Sequence, residues 1–111
     1  MTDEHARRVG LNEALFRQVN EQIRGLTRTF GTSDATMTVI CECGDVGCTT
    51  QLEVAIGDYE RIRSGGRQFV VATGHEFPEL EQIVERREGW DVVRKREGVP
   101  TDLSRETDPR A

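Results

Sequence analysis

The sequence is poor in aromatic residues and contains no long apolar run. Of its 111 residues, 5% are aromatic and 35% are hydrophobic, so the chain can build one modest core and would gain stability from a bound metal. No apolar run approaches the roughly 20 residues that cross a bilayer, and the N-terminus lacks the apolar core of a secretory signal. We therefore expect a soluble, cytoplasmic protein without a membrane partner.

Several common functional patterns are also missing. The net charge is −5, which argues against general nucleic-acid binding because that function needs a clustered basic surface. We find no internal repeat, no glycine-rich phosphate loop and no Ser-His-Asp arrangement. The three cysteines leave one thiol unpaired in any disulfide scheme, and a reducing compartment keeps all three available as thiolates.

All three cysteines lie in one stretch of eight residues, Cys41-Glu42-Cys43-Gly44-Asp45-Val46-Gly47-Cys48. Thiolates are soft ligands that suit Zn²⁺, and the two glycines allow the chain to turn back so that three sulfurs face one ion. Glu42 points to the opposite face of an extended chain from its cysteine neighbours, so we do not expect it to be a ligand. The spacing predicts a zinc site with Cys41, Cys43 and Cys48 as ligands.

The fourth predicted ligand is His75, in the turn Gly74-His75-Glu76. It is one of two histidines and follows a predicted strand, where a flexible turn can bring a side chain to a neighbouring loop. Two alternatives stay open. In the first, His75 is a surface or helix-capping residue, because the number of residues between it and Cys48 matches no fixed zinc-finger spacing. In the second, water or a substrate takes the fourth position on the metal.

The N-terminal part of the chain predicts an amphipathic helix from Leu11 to Phe30. Apolar residues recur there at intervals of three and four. We expect this apolar stripe to cover a sheet, and the alternative is a surface for a second copy or another protein. The stripe consists of Leu11, Leu15, Phe16, Val19, Ile23, Leu26 and Phe30.

The next part of the chain predicts a β-hairpin. Side chains over residues 37–43 follow the two-residue period of a strand, which puts Cys41 and Cys43 on one face. A second strand over residues 50–56 would return beside it, with the metal at the hairpin tip. A short helix over residues 57–63 and a buried strand over residues 68–73 follow.

The segment 79–88 fits either a short helix or the first strand of a second hairpin that turns at Glu88-Gly89. We favour the hairpin because Trp90-Asp91-Val92-Val93 is a good strand that needs a partner. The expected cross-strand pairs are Val84 with Val93 and Arg86 with Asp91. The fold class predicted is α+β, with the N-terminal helix packed on a small, mostly antiparallel sheet.

We expect one metal-binding domain over residues 11–97, between a flexible arm at residues 1–10 and a disordered tail at residues 98–111. The arm is charged and aperiodic. The tail contains two prolines, no aromatic residue and two large apolar residues, a composition typical of disorder.

Four stretches of the sequence resemble a small family of uncharacterised bacterial proteins. They are Asn12-Glu13-Ala14-Leu15-Phe16-Arg17-Gln18-Val19-Asn20-Glu21, the Cys41-Glu42-Cys43-Gly44 and Cys48 group, Gly74-His75-Glu76, and Thr107-Asp108-Pro109-Arg110. The resemblance covers most of the chain. It implies that these stretches belong to one unit, and it implies no particular activity.

The pattern indicates a small intracellular zinc-binding protein with a structural metal site and a protein-interaction or regulatory role. One alternative is a metal-dependent hydrolase with an open zinc site, in which Glu76 or Asp45 activates a bound water. Another is a zinc-thiolate redox switch in which Cys41 or Cys43 pairs with Cys48. We expect a binding protein rather than an enzyme, and either a monomer or a homodimer formed through the Leu11 to Phe30 helix.

Overall fold

A computed structural model describes residues 3–30, 36–45 and 47–110 and confirms an α+β fold. Within these residues, no helix has both the length and the apolar character that crossing a membrane requires. The elements in chain order are α1 (Asp3–Phe30), β1 (Thr36–Ile40), β2 (Gln51–Ala55), α2 (Ile56–Arg63), β3 (Gln68–Ala72), β4 (Glu81–Arg86), β5 (Trp90–Lys95) and α3 (Val99–Glu106).

The strands form two antiparallel sheets. The predicted hairpin is confirmed as β1 and β2, which pair from Thr36 opposite Ala55 to Ile40 opposite Gln51. The second sheet has the order β3-β5-β4. Alternation in β1 and β2 turns every second side chain inward, and these join the main core with residues of α2, β3 and β5. The inward side chains of the hairpin are Met37, Val39, Leu52 and Val54.

The segment 79–88 contributes a strand, as favoured, and β4 turns into β5 at Gly89. That glycine has φ +89°, a value that side chains other than glycine rarely tolerate. Arg86 lies opposite Asp91, as predicted. The predicted pair of Val84 with Val93 is wrong, because an irregularity in the strand at Val84 shifts the register and puts Ile83 opposite Val93.

The segment Cys41–Cys43 lies between the two sheets. The Cys41 N–H donates to the Thr50 carbonyl at 2.8 Å, and the Glu42 N–H donates to the Val70 carbonyl at 2.8 Å. A second hydrogen bond joins the same two residues, because the Val70 N–H donates to Glu42 Oε1 at 3.0 Å. Successive backbone groups of this segment therefore bind the hairpin on one side and β3 on the other.

The expectation of a flexible arm over residues 1–10 is wrong for residues 3–10, because α1 begins at Asp3. Ala6 and Val9 are buried and pack with Leu80 and the half-buried Phe77. A charged, aperiodic stretch hides this because, among residues 4–10, the buried side chains are Ala6 and Val9. Their burial against the turn before β4 is what orders the first turns of the helix.

The expected disordered tail is also wrong, since residues 99–106 form α3 and its Leu103 is buried. A Cβ built at Gly10 would lie 2.5 Å from Leu103 Cδ2, so α1 and α3 are in close contact at a glycine. Beyond α3, Asp108 accepts a hydrogen bond from Arg63 at 2.6 Å. Ion pairs and one buried leucine order this segment, and neither is visible in its composition.

The apolar stripe of α1 is not the most buried face of the helix. Leu11 and Leu15 are 51% and 53% exposed, while Phe16, Val19 and Ile23 are half-buried and the side chains of residues 26 and 30 lie outside the described part. Another face of α1 meets the protein, and its buried residues are Ala6, Val9, Glu13, Arg17 and Asn20. The prediction failed because three polar residues on that face find buried partners.

Asn20 binds the outer edge of β1 as a neighbouring strand would. Its Oδ1 accepts a hydrogen bond from the Ile40 N–H at 2.8 Å, and its Nδ2 donates to the Ile40 carbonyl at 2.7 Å. The same Nδ2 donates to Glu42 Oε2 at 2.9 Å. One amide side chain thus satisfies two backbone groups that β1 would otherwise leave unpaired.

Glu13 belongs to a buried group of two carboxylates and one ammonium. Lys95 Nζ lies 2.7 Å from Glu81 Oε2 and also forms an ion pair with Glu13, and all three side chains are at most 2% exposed. Burial raises the pKa of Glu13 well above its usual value; Lys95 opposes this shift and the neighbouring Glu81 adds to it. Since one ammonium cannot neutralise two buried carboxylates, a proton on Glu13 is favoured.

Near the hairpin tip, α1 approaches the backbone of Gly44 closely. A Cβ built at Gly44 would lie 2.2 Å from Val9 Cγ1 and 3.1 Å from the Val9 carbonyl oxygen. Asn12 Nδ2 donates to the Gly44 carbonyl at 3.0 Å. The position therefore admits only glycine while the helix keeps its place.

Glu13→Gln should remove a component of the pH dependence of stability. Because the pKa of Glu13 is higher in the folded than in the unfolded chain, the native state binds the extra proton above about pH 4.5, and stability falls as pH rises through that window. The wild-type minus variant free energy of unfolding should fall by up to about 1.4 kcal/mol per pH unit. Urea unfolding at pH 5, 6, 7 and 8 measures it.

Glu106→Gln is the control, since Glu106 is exposed on α3. Its free energy of unfolding should depend on pH in the same way as that of the wild type. Identical profiles for the wild type and Glu13→Gln would contradict the prediction.

Gly44→Ala should destabilise the protein by about 1 to 3 kcal/mol, because the added methyl group overpacks the contact with Val9. Gly47→Ala is the matched control in the same loop, where a Cβ would meet only Asp45 Oδ1 at an ordinary 3.4 Å. Thermal and urea unfolding compare the two. Equal stability of both variants would mean that α1 does not dock on the loop in this way.

Candidate metal centre

Four side chains meet where the hairpin tip faces the end of β3. One ligand atom from each of Cys41, Cys43, Cys48 and His75 lies within 4.8 Å of all the others. His75 Nδ1 is 3.6 Å from the sulfurs of both Cys41 and Cys48. Ligand atoms around a tetrahedral zinc ion lie roughly 3.3 to 3.8 Å apart, so the group could hold a metal.

The alternation of an extended chain brings the first two sulfurs to the same side. Cys41 and Cys43 directly follow β1, and both are buried without a disulfide. Cys48 returns through a turn in which its N–H donates to the Asp45 carbonyl at 3.0 Å and the Gly47 N–H donates to Asp45 Oδ1 at 2.9 Å. Residue 46 lies outside the described part of the loop. The turn places the third sulfur beside the first two.

His75 reaches the sulfurs from the other sheet. The chain turns after β3, where the His75 N–H donates to the Ala72 carbonyl at 3.0 Å and Gly74 has φ +88°. This turn directs Nδ1, rather than the more distant ring nitrogen, toward the cysteines. The structure thus brings all four predicted site residues together, and it draws them from two sheets.

The thiols of Cys41 and Cys43 shift each other's pKa in opposite directions. A hydrogen bond from Cys41 lowers the pKa of Cys43 to about 5, and the same contact, together with burial, raises the pKa of Cys41. The Ala72 N–H also donates to Cys41 Sγ at 3.1 Å, so either sulfur can carry the negative charge. A divalent cation bound by both sulfurs would displace the thiol protons.

Glu42 lies between two of the cysteines and faces the core, away from the cluster. Its Oε2 accepts hydrogen bonds from Asn20 Nδ2 at 2.9 Å and from the Tyr59 hydroxyl at 3.3 Å. Burial raises the pKa of Glu42, although the hydrogen bond from Asn20 opposes the shift. The carboxyl group fixes the segment that carries the sulfurs, and it contributes no atom to the cluster.

Sequence reasoning missed the helix residues that hold this segment. Asn12 binds the backbone at Gly44, and Asn20 binds the backbone at Ile40, on either side of the cysteine pair. The available pattern was the recurrence of polar residues at intervals of three and four, at Glu13, Arg17 and Asn20. Such a pattern does not by itself indicate burial, because a polar helix face usually meets solvent.

A cavity of about 270 Å³ lies beside the cluster. It contacts one of the three thiols and the histidine, and the other lining residues belong to the two turns. The lining residues are Cys43, Asp45, Gly74, His75, Glu76 and Phe77. The two carboxylates proposed for an open hydrolytic site thus border the cluster without being part of it.

No family model, no curated protein and no solved structure matches the chain. The resemblance to a bacterial family stays a prediction. What the geometry gives is a Cys₃His cluster, assembled from two sheets of an α+β fold, that could bind a metal.

Proposed function

We propose that this chain is a small intracellular zinc-binding protein with a structural Cys₃His centre, and that it acts by binding another protein. The observation that carries the metal is the position of His75 Nδ1, 3.6 Å from two of the three sulfurs. Three thiolates and an imidazole are ligands that suit zinc, whereas magnesium and calcium prefer oxygen ligands.

A structural role is supported by the connections of the four ligands. Three belong to the hairpin tip and the fourth follows β3, so one ion would link the two sheets across a long stretch of sequence. Binding such an ion to the folded chain alone stabilises the fold by the binding free energy. The core is small enough for this contribution to matter.

The hydrolase alternative has less support. A catalytic zinc site usually keeps one position for water, whereas four protein groups are already within reach of one ion here. The redox alternative uses the same centre. Hydrogen peroxide would oxidise two thiolates to a disulfide and would itself be reduced to water. The loss of two thiolate ligands would then release the ion. This alternative is compatible with a structural zinc and adds a way to remove it.

Protein binding is supported by α1. In the described part of the chain, Leu11 and Leu15 are the large apolar side chains left exposed. They lie four residues apart and so share one helix face. The half-buried Val19 continues that face toward the C-terminal end. A second copy of the chain is the first partner to test, because a homodimer through this helix is one of the two states expected from the sequence.

Protein purified without added metal should contain close to one zinc per chain. Cys43→Ser and His75→Ala should each weaken zinc binding by roughly tenfold or more and lower the melting temperature, as a strong chelator should with the wild type. His5→Ala, which removes the other histidine, is the control and should retain zinc. Elemental analysis and thermal unfolding are the measurements.

A chain without zinc would contradict the metal proposal. Wild-type zinc affinity in His75→Ala would remove His75 from the ligand set. Unchanged melting after demonstrated zinc loss would mean that the centre is not structural.

Leu15→Glu should weaken self-association while leaving the fold intact, because an exposed substitution changes stability by only about 0.5 kcal/mol. Sedimentation over a range of concentrations compares it with the wild type. Gln51→Glu, an exposed change on β2 and outside the helix, is the control for added charge. A wild type that stays monomeric at all concentrations would exclude the homodimer.

A further inference from the structure

The cavity beside the metal cluster has charged groups of one sign. Among the described residues that line it, Asp45 and Glu76 are the charged side chains apart from the ligands, and none is Lys or Arg. A zinc ion bound by three thiolates and a neutral imidazole carries a net charge of about −1. A cleft lined by one sign of charge concentrates ligands of the opposite sign.

Glu76 has a carboxylate oxygen that needs a donor. Its Oε2 is buried and has no hydrogen-bond partner among the described residues. The nearby Arg96 donates its Nε to the Pro78 carbonyl at 2.9 Å, and no hydrogen bond joins it to this oxygen. Buried carboxylate oxygens are normally paired, so a rotation of the Glu76 side chain toward the cavity would give this covered oxygen a donor from a ligand.

Asp45 can add a second acceptor on the loop side. Its Oδ1 holds the loop by accepting from the Gly47 N–H at 2.9 Å. The residue is exposed, so its other oxygen can meet a ligand without rearrangement. Two carboxylates from two different turns would then receive the N–H donors of one cationic group.

The size and the apolar wall of the cavity determine the kind of cation. A volume of about 270 Å³ equals the room of about nine waters at roughly 30 Å³ each, more than a bare metal ion needs. Phe77 gives the wall an aromatic surface, against which an alkyl stem packs and a cation is attracted.

We propose that this cavity binds an organic cation with N–H donors on an alkyl stem, an ammonium or guanidinium group such as a lysine or arginine side chain carries. Glu76 and Asp45 accept its hydrogen bonds, and the metal centre supplies part of the attracting charge. The proposal thus rests on the proposed zinc centre, and it deepens the binding role by naming the chemistry that is recognised.

The test uses the full chain, with zinc measured in every sample. Backbone amide NMR follows titration with n-butylammonium, with the tripeptide Gly-Lys-Gly, and with n-butanol as the neutral match. Saturable shifts should appear at residues 74–77 with both cations and not with n-butanol. Tighter binding of the tripeptide would identify a protein side chain as the source of the cationic group. Tighter binding of the free amine would identify a small molecule as its source.

Glu76→Gln should weaken binding of the cations about tenfold. Glu79→Gln is the matched control, because Glu79 is exposed, lies three residues away and does not line the cavity. Asp45→Asn, an exposed change that keeps an acceptor for Gly47, should weaken binding about threefold and decides the question should Glu76→Gln fail to fold.

In a sample with one zinc per chain, three results would overturn the proposal. They are the absence of saturable shifts, equal shifts with n-butanol, and unchanged affinity in both acidic-site variants. If the chain contains no zinc, the proposed metal function fails, independently of the cation proposal. The same titration then decides whether the two carboxylates bind the cation without the metal.

Discussion

The fold depends on one short segment, Cys41–Cys43, that makes backbone hydrogen bonds to both sheets. Because Cys41 binds Thr50 of the hairpin and Glu42 binds Val70 of β3, the two sheets meet at the residues that carry the sulfurs. His75 follows β3 by a short turn and so arrives at the same place. A metal held by these ligands would close long loops of chain, which is where a crosslink removes the most entropy from the unfolded state.

The segment is held in place by polar rather than apolar contacts. Asn20 satisfies the backbone at Ile40 and binds Glu42, and Asn12 binds Gly44. Buried polar groups of this kind are costly when a partner is missing, so each one requires a single relative position of α1 and the sheets. The consequence is that the apolar stripe of α1 lies elsewhere on the helix, partly exposed.

The features predicted correctly from sequence are those set by neighbours along the chain. Alternation and turn residues located both hairpins, and the cysteine spacing together with the Gly74 turn led to the four residues that the structure brings together. The wrong face of α1 has a different cause. The burial of Glu13 depends on Lys95, which lies at the far end of the sequence, and no local pattern reports such a partner.

The two chain ends illustrate the same limit. The segments expected to be a flexible arm and a disordered tail touch each other where Gly10 meets Leu103. Arg63 then connects the C-terminal residues to the body by binding both Asp108 and Glu21. A composition rule counts apolar residues within a segment, and it cannot detect order that comes from a contact between two polar segments.

In the proposed centre, four protein ligands leave the ion no vacant position, so the metal would act through structure and charge rather than as a Lewis acid. Its structural effect is the link between hairpin and β3. Its charge effect extends further, because a zinc with three thiolates stays negative and borders a cavity that contains two carboxylates. Loss of the ion would release the link and alter the field in that cavity at once, which couples the state of the centre to whatever the cavity binds.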